Sequence, residues 1–371
     1  MKDSEVVVIT GASAGVGRAA AREFGKRGAS IGLIARDRSR LEKTRDEVES
    51  AGGRALVFPA DVAESAQVFQ AADQVVETFG PIDIWINNAM TTLFSPFTDI
   101  RPEDYRRVTE VTYLGMVYGT MAALKHMKRQ DRGTIVQVGS ALSYRAFPLQ
   151  APYCGAKFAI RGFTDSIRSE LLHDKSRIHI TMVQLPAVNT PQFIWCKANL
   201  AGNPRPLAPI YQPEVAARAI YWAAHHRRRE MDVGISSSAV IWLNKFFPHL
   251  LDRYLAASAC EGQQTDDPIA VDQPDNLYRS VPGDYAAHGE FDQQAHGGSI
   301  QLWMTMHRKW LLLGGGLLAG ILIGAGRLSK NGHADSGAEK SESLREEDAD
   351  GFTIRDKRAF AEEQEVEKIR N

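Results

Sequence analysis

Short unbroken apolar runs alternate with amphipathic stretches through most of the chain. Val6-Val7-Val8-Ile9 is β-branched throughout, the pattern of a strand covered on both faces. Ser30–Ala35, Ala55–Phe58, Ile82–Ile86, Ile135–Val138, Ile178–Leu185 and Met231–Gly234 repeat it. Between these runs helical periodicity is expected over Arg18–Arg27, Asp37–Ala51, Ala66–Phe79, the pair Pro102–Val108 and Val111–Met127, a helix through Tyr153 to Leu172, and Val215–His225. Such alternation predicts right-handed βαβ crossovers and an α/β, doubly wound parallel sheet of about seven strands. Ligands of such sheets bind beyond the carboxyl ends of the strands.

Those ends carry the polar chemistry. The first strand runs into Thr10-Gly11-Ala12-Ser13-Ala14-Gly15-Val16-Gly17. Glycines at a strand-to-helix turn let the backbone approach a pyrophosphate, although a plain tight loop has the same composition. The second strand ends at Arg36, where an acidic residue would hold a ribose 2′-hydroxyl and an arginine suits a 2′-phosphate; a solvated loop charge is the alternative. Asp61 follows the third strand and can accept from an adenine amino group or cap a helix. Asn87 and Asn88 follow the fourth, as strand stitching or as cofactor contacts. Ser140 ends the fifth, and Tyr153 and Lys157 fall four apart on one helical face. An ammonium beside a phenol lowers the phenol's pKa, and a serine hydroxyl can hold a substrate oxygen, so the trio is equipped to move a proton on or off an alcohol. The sixth strand ends in Pro186-Ala187-Val188-Asn189-Thr190.

Charge and cysteine content narrow the classes. A net charge of −1 with no dominant basic block excludes nucleic acid as the expected partner. Cys154, Cys196 and Cys260 are widely spaced, which predicts no disulfide frame, no metal site and a reducing compartment. No apolar h-region precedes the first glycines, so no signal peptide is expected.

Residues from about 5 to 255 resemble the short-chain dehydrogenase/reductase family, in its simple oxidoreductase branch. The resemblance rests on Thr10-Gly11-x-x-x-Gly15-x-Gly17, Asp61-Val62, Asn87-Asn88-Ala89, Ser140 thirteen residues before Tyr153, Tyr153-x-x-x-Lys157, and Pro186 to Thr190. It implies a Rossmann-type catalytic domain over 1–258 and hydride transfer between C4 of a nicotinamide and a carbonyl or CH–OH carbon. Tyr153 would be acid in reduction and base in oxidation, Lys157 would hold the nicotinamide ribose, Ser140 would orient the substrate oxygen, and Thr190 would meet the carboxamide. Gly11, Ser13, Gly15, Val16, Gly17, Arg36, Asp61, Val62, Asn88, Ala89, Tyr153, Lys157, Pro186, Val188 and Thr190 are the implied cofactor contacts. Arg36 and the missing acid favour NADP(H) over NAD(H), although Ala14 lacks the basic residue frequent in NADP-preferring members. Thr112 stands where the family usually has an asparagine, twenty-eight residues before Ser140, and is the fourth catalytic candidate, holding the water of a proton relay; Met90 replaces the usual glycine after Asn87-Asn88-Ala89. A homodimer or homotetramer through the helices of Gly115 and Tyr153 is also implied.

The substrate side reads as apolar. Pro191–Pro209 carries Phe193, Ile194, Trp195, Leu200 and Leu207, a lid for a hydrophobic small molecule or a buried or dimer-forming helix. Ala239–Ala257 is strongly apolar and interrupted at Pro248, completing the pocket or lying against a membrane. Residues 259–300 turn polar and acidic and are expected as an extended linker. Residues 303–327 then read as a membrane anchor with a short span over 310–326, flanked by Trp303, Arg308, Lys309, Trp310 and Arg327; a buried helix is the alternative. Residues 328–371 form a charged tail expected to be disordered. NADP chemistry would put the catalytic domain on the cytoplasmic face, and without an inserted span the protein would be soluble and cytoplasmic. The rival function is a nucleotide-binding scaffold at a membrane, to which Thr112 and Met90 lend support.

Overall fold

The β-branched runs become strands because both of their faces are covered. In the computed structural model, which describes residues 4–270 and 272–308, seven strands form one parallel sheet. They are β1 Val6–Thr10, β2 Ser30–Ala35, β3 Arg54–Pro59, β4 Ile84–Asn87, β5 Thr134–Ser140, β6 His179–Leu185 and β7 Glu230–Asp232, in the order β7-β6-β5-β4-β1-β2-β3. Every residue of β1 and β2 is buried, which is why neither strand alternates in polarity. β1 pairs with β2 from Val6↔Ser30 to Thr10↔Ile34, and with β4 from Val7↔Ile84 to Ile9↔Ile86. The chain reverses its direction of build between β1 and β4, and the crevice opens there.

Helices cover the two faces. They are α1 Gly15–Gly25, α2 Arg38–Ser50, α3 Ser65–Phe79, α4 Pro102–Thr109, α5 Gly115–Gln130, α6 Ala151–His173, the single turn α7 Gln192–Trp195, and α8 Pro213–His225. Phe24, Leu41, Val48 and Ile220 bring α1, α2 and α8 into one core cluster; Val68, Val75, Ala122 and Met127 bring α3 and α5 into the other. Asp37 caps α2 by accepting from Arg40 N at 3.0 Å. The expected break between α4 and α5 is instead a π-helical turn, Glu110–Leu114, which widens the helix where Thr112 sits. Pro248 does interrupt the apolar C-terminal region, separating α9 Ile235–Phe246 from α10 Pro248–Gly262.

The expected linker over 259–300 is not a linker. The compact unit runs from Met1 to Met306, and α10 crosses the expected boundary at 258. Gln264–Pro268 pairs antiparallel with Gly202–Pro204, and Ala295–His296 pairs with Ile210–Tyr211. Leu277, Val281 and Ala287 are buried anchors in the segment between. Polar composition concealed this because ion pairs and backbone hydrogen bonds help hold the segment. Among the described residues no helix is long and apolar enough to cross a membrane. The span expected over 310–326 and the charged tail over 328–371 lie outside the described residues.

Candidate active site

The glycine turn folds as its sequence requires. Gly11 has φ of +68°, and a Cβ there would lie 2.8 Å from Ala89 Cα. A Cβ on Gly17 would lie 2.1 Å from Gly11 O, so Gly17 packs the turn against itself and does not line the cleft. Asn88 ties this turn to the end of β4: its Nδ2 donates to Thr10 O at 3.0 Å, while Asn88 N and Ala89 N donate to Thr10 Oγ1 at 3.0 and 3.1 Å. Asn87 is structural, accepting from Trp85 Nε1 and donating to Thr120 Oγ1 and Gln137 Oε1 within the core.

A cavity of about 510 Å³ runs along the carboxyl ends of the strands. At its nucleotide end lie Gly11, Ser13, Gly15 and Val16, then Arg36, Asp61 and Val62. Asn88, Ala89, Ser140, Tyr153 and Lys157 line it further on, as do Pro186, Val188 and Thr190, the last beside Gly15. Phe147, Phe193, Leu207, Val240 and Leu255 make the walls apolar.

β5 and α6 position the proton-transfer groups. Ser140, 7 % exposed, caps a short turn by accepting from Leu142 N at 3.1 Å. Lys157 is 2 % exposed, and its ammonium donates to Val138 O at 2.7 Å with Nζ 5.4 Å from the Tyr153 ring centroid. Burial brings the Lys157 pKa down to about 7. Burial also pushes the Tyr153 phenol above its ordinary range, and a hydrogen bond from Ser140 opposes this. The expected lowering of the Tyr153 pKa by Lys157 is therefore not found, because desolvation dominates at both groups. Thr112, fully buried, donates to Thr91 O at 2.8 Å and accepts from Thr91 N at 3.0 Å. It does not line the cavity; it pins the 90–92 loop to the π-helical turn.

The nucleotide end holds three arginines. Arg36 donates to Asn276 O at 2.5 Å and to Leu277 O at 3.4 Å; burial, Arg107 and Arg40 weigh against its charge, and Asp61 and Asp275 support it. Arg107 pairs with Asp61 and donates to Leu277 O at 3.1 Å. Asp61 also accepts from Ala63 N at 3.0 Å, while the capping position just before α3 is Glu64, so Asp61 does not cap that helix. Arg40 pairs with Asp37, donates to Val281 O and lies 4.9 Å from the Trp195 ring, yet its Nε is buried without a partner.

The segment from Asn276 to Phe291 is the part of the site that sequence reasoning missed. It crosses the nucleotide end as a strap. Asp284 binds Arg18 at 2.7 Å and Lys43 at 3.1 Å, which holds its carboxyl at a pKa of about 2. Ala286 O accepts from Gly15 N at 3.1 Å, inside the glycine turn itself. Beyond it, Gly289 N donates to Asn189 O at 3.3 Å and Phe291 N to Asn189 Oδ1 at 3.0 Å. The available signal was weak: apolar residues Leu277, Val281 and Phe291 recurring in a stretch otherwise rich in Asp, Gln and Gly.

A doubly wound sheet with a glycine turn at its switch point, and a Ser-Tyr-Lys group with buried Ser140 and Lys157 and half-buried Tyr153 along the same cleft, defines the dinucleotide-dependent oxidoreductases of α/β type. The comparisons are more specific. The family model described as short chain dehydrogenase matches residues 5–197. The chain belongs to this family, and it is an oxidoreductase. It is 35 % identical over 280 residues to the uncharacterized oxidoreductase YxnA of Bacillus subtilis, covering 75 % of this chain and 78 % of the relative. It is 34 % identical over 192 residues to a 3-dehydrosphinganine reductase of Danio rerio, covering 50 % of this chain and 57 % of that protein. Among solved structures it resembles an alcohol dehydrogenase from the archaeon Thermococcus sibiricus complexed with 5-hydroxy-NADP (TM-score 0.54, 26 % identity), covering 62 % of this chain and 96 % of that one.

The cofactor of this fold is a nicotinamide dinucleotide, NAD(P). The residues present fit it: positive-φ Gly11 and Gly15 leave those two positions of the turn without side chains, the Arg40 Nε is buried without a partner, and one cavity runs from the turn to Tyr153.

Proposed function

We propose that the protein interconverts an apolar ketone or aldehyde and its alcohol, with NADP(H) preferred over NAD(H) and Tyr153 moving the proton. The observation that carries this reading is one continuous cavity with Ser140, Tyr153 and Lys157 along it and Arg36, Arg40 and Arg107 about its nucleotide end. The cofactor, when bound, supplies or accepts the hydride at its nicotinamide. The glycine turn and the N-terminus of α1 would hold its pyrophosphate, Asp61 and Val62 its adenine, and Thr190 with Pro186 and Val188 its carboxamide end. Arg36 would hold the 2′-phosphate, with the nearby Arg40 and Arg107 supporting the added negative charge.

Ser140 orients the substrate oxygen. Tyr153 donates its phenolic proton to that oxygen in reduction and takes it back in oxidation. A raised phenol pKa suits the acid role; a Lys157 charged by contact with a bound ribose would lower it for the base role. The apolar walls favour an apolar substrate. The Danio rerio relative, a reductase of 3-dehydrosphinganine, and the archaeal alcohol dehydrogenase support the same reaction class. Exposed Met121 on α5 and Phe158 and Leu172 on α6 support a homodimer or homotetramer, which sedimentation would count. A membrane tether over 310–326 is part of the same reading; truncation after Arg308 should weaken membrane fractionation if it is right.

The test is an NADPH-linked screen of apolar ketones and aldehydes with the full chain, and turnover of at least one is expected. The scaffold reading is favoured by Met90, in the place of the usual glycine, and by Thr112, whose proton is committed to Thr91 O. NADPH binding without turnover across the panel would select it.

A further inference from the structure

The outer face of α9 and α10 is apolar and uncovered. Trp242, Phe246, Phe247 and Leu250 are each more than half exposed, and Ile235 and Leu243 extend the patch. The helical stretch over 300–308 adds exposed Ile300, Trp303 and Met304; it adjoins the start of α9, because Gly234 N donates to Gln301 Oε1 at 3.0 Å. A patch of this size and aromatic content marks a binding surface. Its margin carries two exposed cations. Lys245 lies over Trp242 at 5.6 Å and Phe246 at 6.0 Å, Arg253 is exposed on α10, and the exposed carboxylate of Asp252 is paired with Arg145 at 2.6 Å. Exposed Trp and Phe with Lys and Arg at their margin is the chemistry of a helix lying in an anionic bilayer interface.

The inner face of the same hairpin supplies cavity wall. Ser237, Val240, Leu255 and Ala259 line the cleft that holds Tyr153. One element therefore separates the reacting end from the apolar exterior. The chain also continues past the described residues into the uncharged run 311–326, so an apolar environment is available next in sequence.

We propose that the α9–α10 face docks on an anionic lipid surface, and that the apolar carbonyl or alcohol substrate enters the cleft from that lipid through the hairpin. The substrate class would then be a membrane-resident lipid bearing one carbonyl or hydroxyl group. The docking claim stands alone, whereas the entry route rests on the oxidoreductase reading given above.

The test uses the full chain with Cys260→Ser and Phe247→Cys carrying a polarity-sensitive fluorophore; Cys154 and Cys196 are buried. A label at Gln70→Cys on exposed α3 surface is the control. Vesicles of phosphatidylcholine with phosphatidylglycerol should shift the label at 247 to the blue and expose it to quenching by brominated lipid, leaving the control unchanged. No shift overturns docking. A label at 247 already in an apolar environment without vesicles also overturns it, because a second copy or the chain's own 311–326 run would then cover the face. For entry, Phe246→Glu with Phe247→Glu should leave NADPH oxidation by a small water-soluble ketone unchanged and slow turnover of a long-chain ketone dissolved in the vesicles about tenfold. Equal effects on both ketones overturn the entry route. A wild-type chain inert towards the soluble ketone would defeat the oxidoreductase reading while the fluorescence still decides docking.

Discussion

Replacing Lys157 with methionine should separate stability from function, with a pH signature. The native ammonium is 2 % exposed and has a pKa of about 7, against 10.5 for the unfolded chain. Because the folded-state pKa is depressed, the unfolded chain binds more protons between these values, and stability falls as pH drops from 10.5 to 7. Linkage puts the penalty at about 5 kcal/mol near pH 6 and about 1.5 kcal/mol near pH 9.5. Lys157→Met removes it but leaves Val138 O without its donor, a loss of about 2 kcal/mol. The cofactor-free variant should therefore be more stable than wild type by about 3 kcal/mol near pH 6 and nearly equal near pH 9.5. At about 2 °C per kcal/mol the Tm gap is about 6 °C at the lower pH, read by calorimetry at both values. Oxidoreductase turnover should be lost at both. A variant less stable than wild type by the same margin at each pH would refute the buried, depressed ammonium.

Three further outcomes follow from the same geometry. Gly17→Ala places a Cβ against Gly11 O, so the glycine turn must shift; NADPH affinity should fall at least about a hundredfold by fluorescence titration, with a lower Tm. Asp284→Ala breaks the ion pairs to Arg18 and Lys43 that hold the strap, and stopped-flow displacement should show NADPH leaving about tenfold faster. Arg36→Asp should move the NADPH:NADH preference towards NADH by about a hundredfold in kcat/KM, and an unchanged ratio would remove Arg36 from the 2′-phosphate site.

What the chain discloses in advance is what its local pattern determines. β1 and β2 are legible because burial on both faces demands an unbroken β-branched run. Tyr153 and Lys157 are legible because four residues along a helix is one face. The glycine turn is legible because two of its glycines meet steric demands that no side chain could satisfy. The strap is not legible from local pattern: Asp284 binds Arg18 across 266 residues, and Arg36 donates to backbone carbonyls 240 and 241 positions away. Backbone acceptors leave no signature in residue identity, so a polar stretch with a few apolar anchors resembled a linker. The direction of the Tyr153 shift also needed the fold, since the spacing shows a lysine nearby but not that both groups are desolvated. Thr112 shows the same limit, because its partner is the backbone of Thr91.

The central claim is that Tyr153 moves the proton on the substrate oxygen. Its most direct test is single-turnover NADPH oxidation by Tyr153→Phe, with any carbonyl the wild type reduces, alongside NADPH affinity. The account predicts a rate about a thousandfold lower with NADPH affinity unchanged within about threefold. A variant that keeps more than about a tenth of the wild-type rate would contradict it.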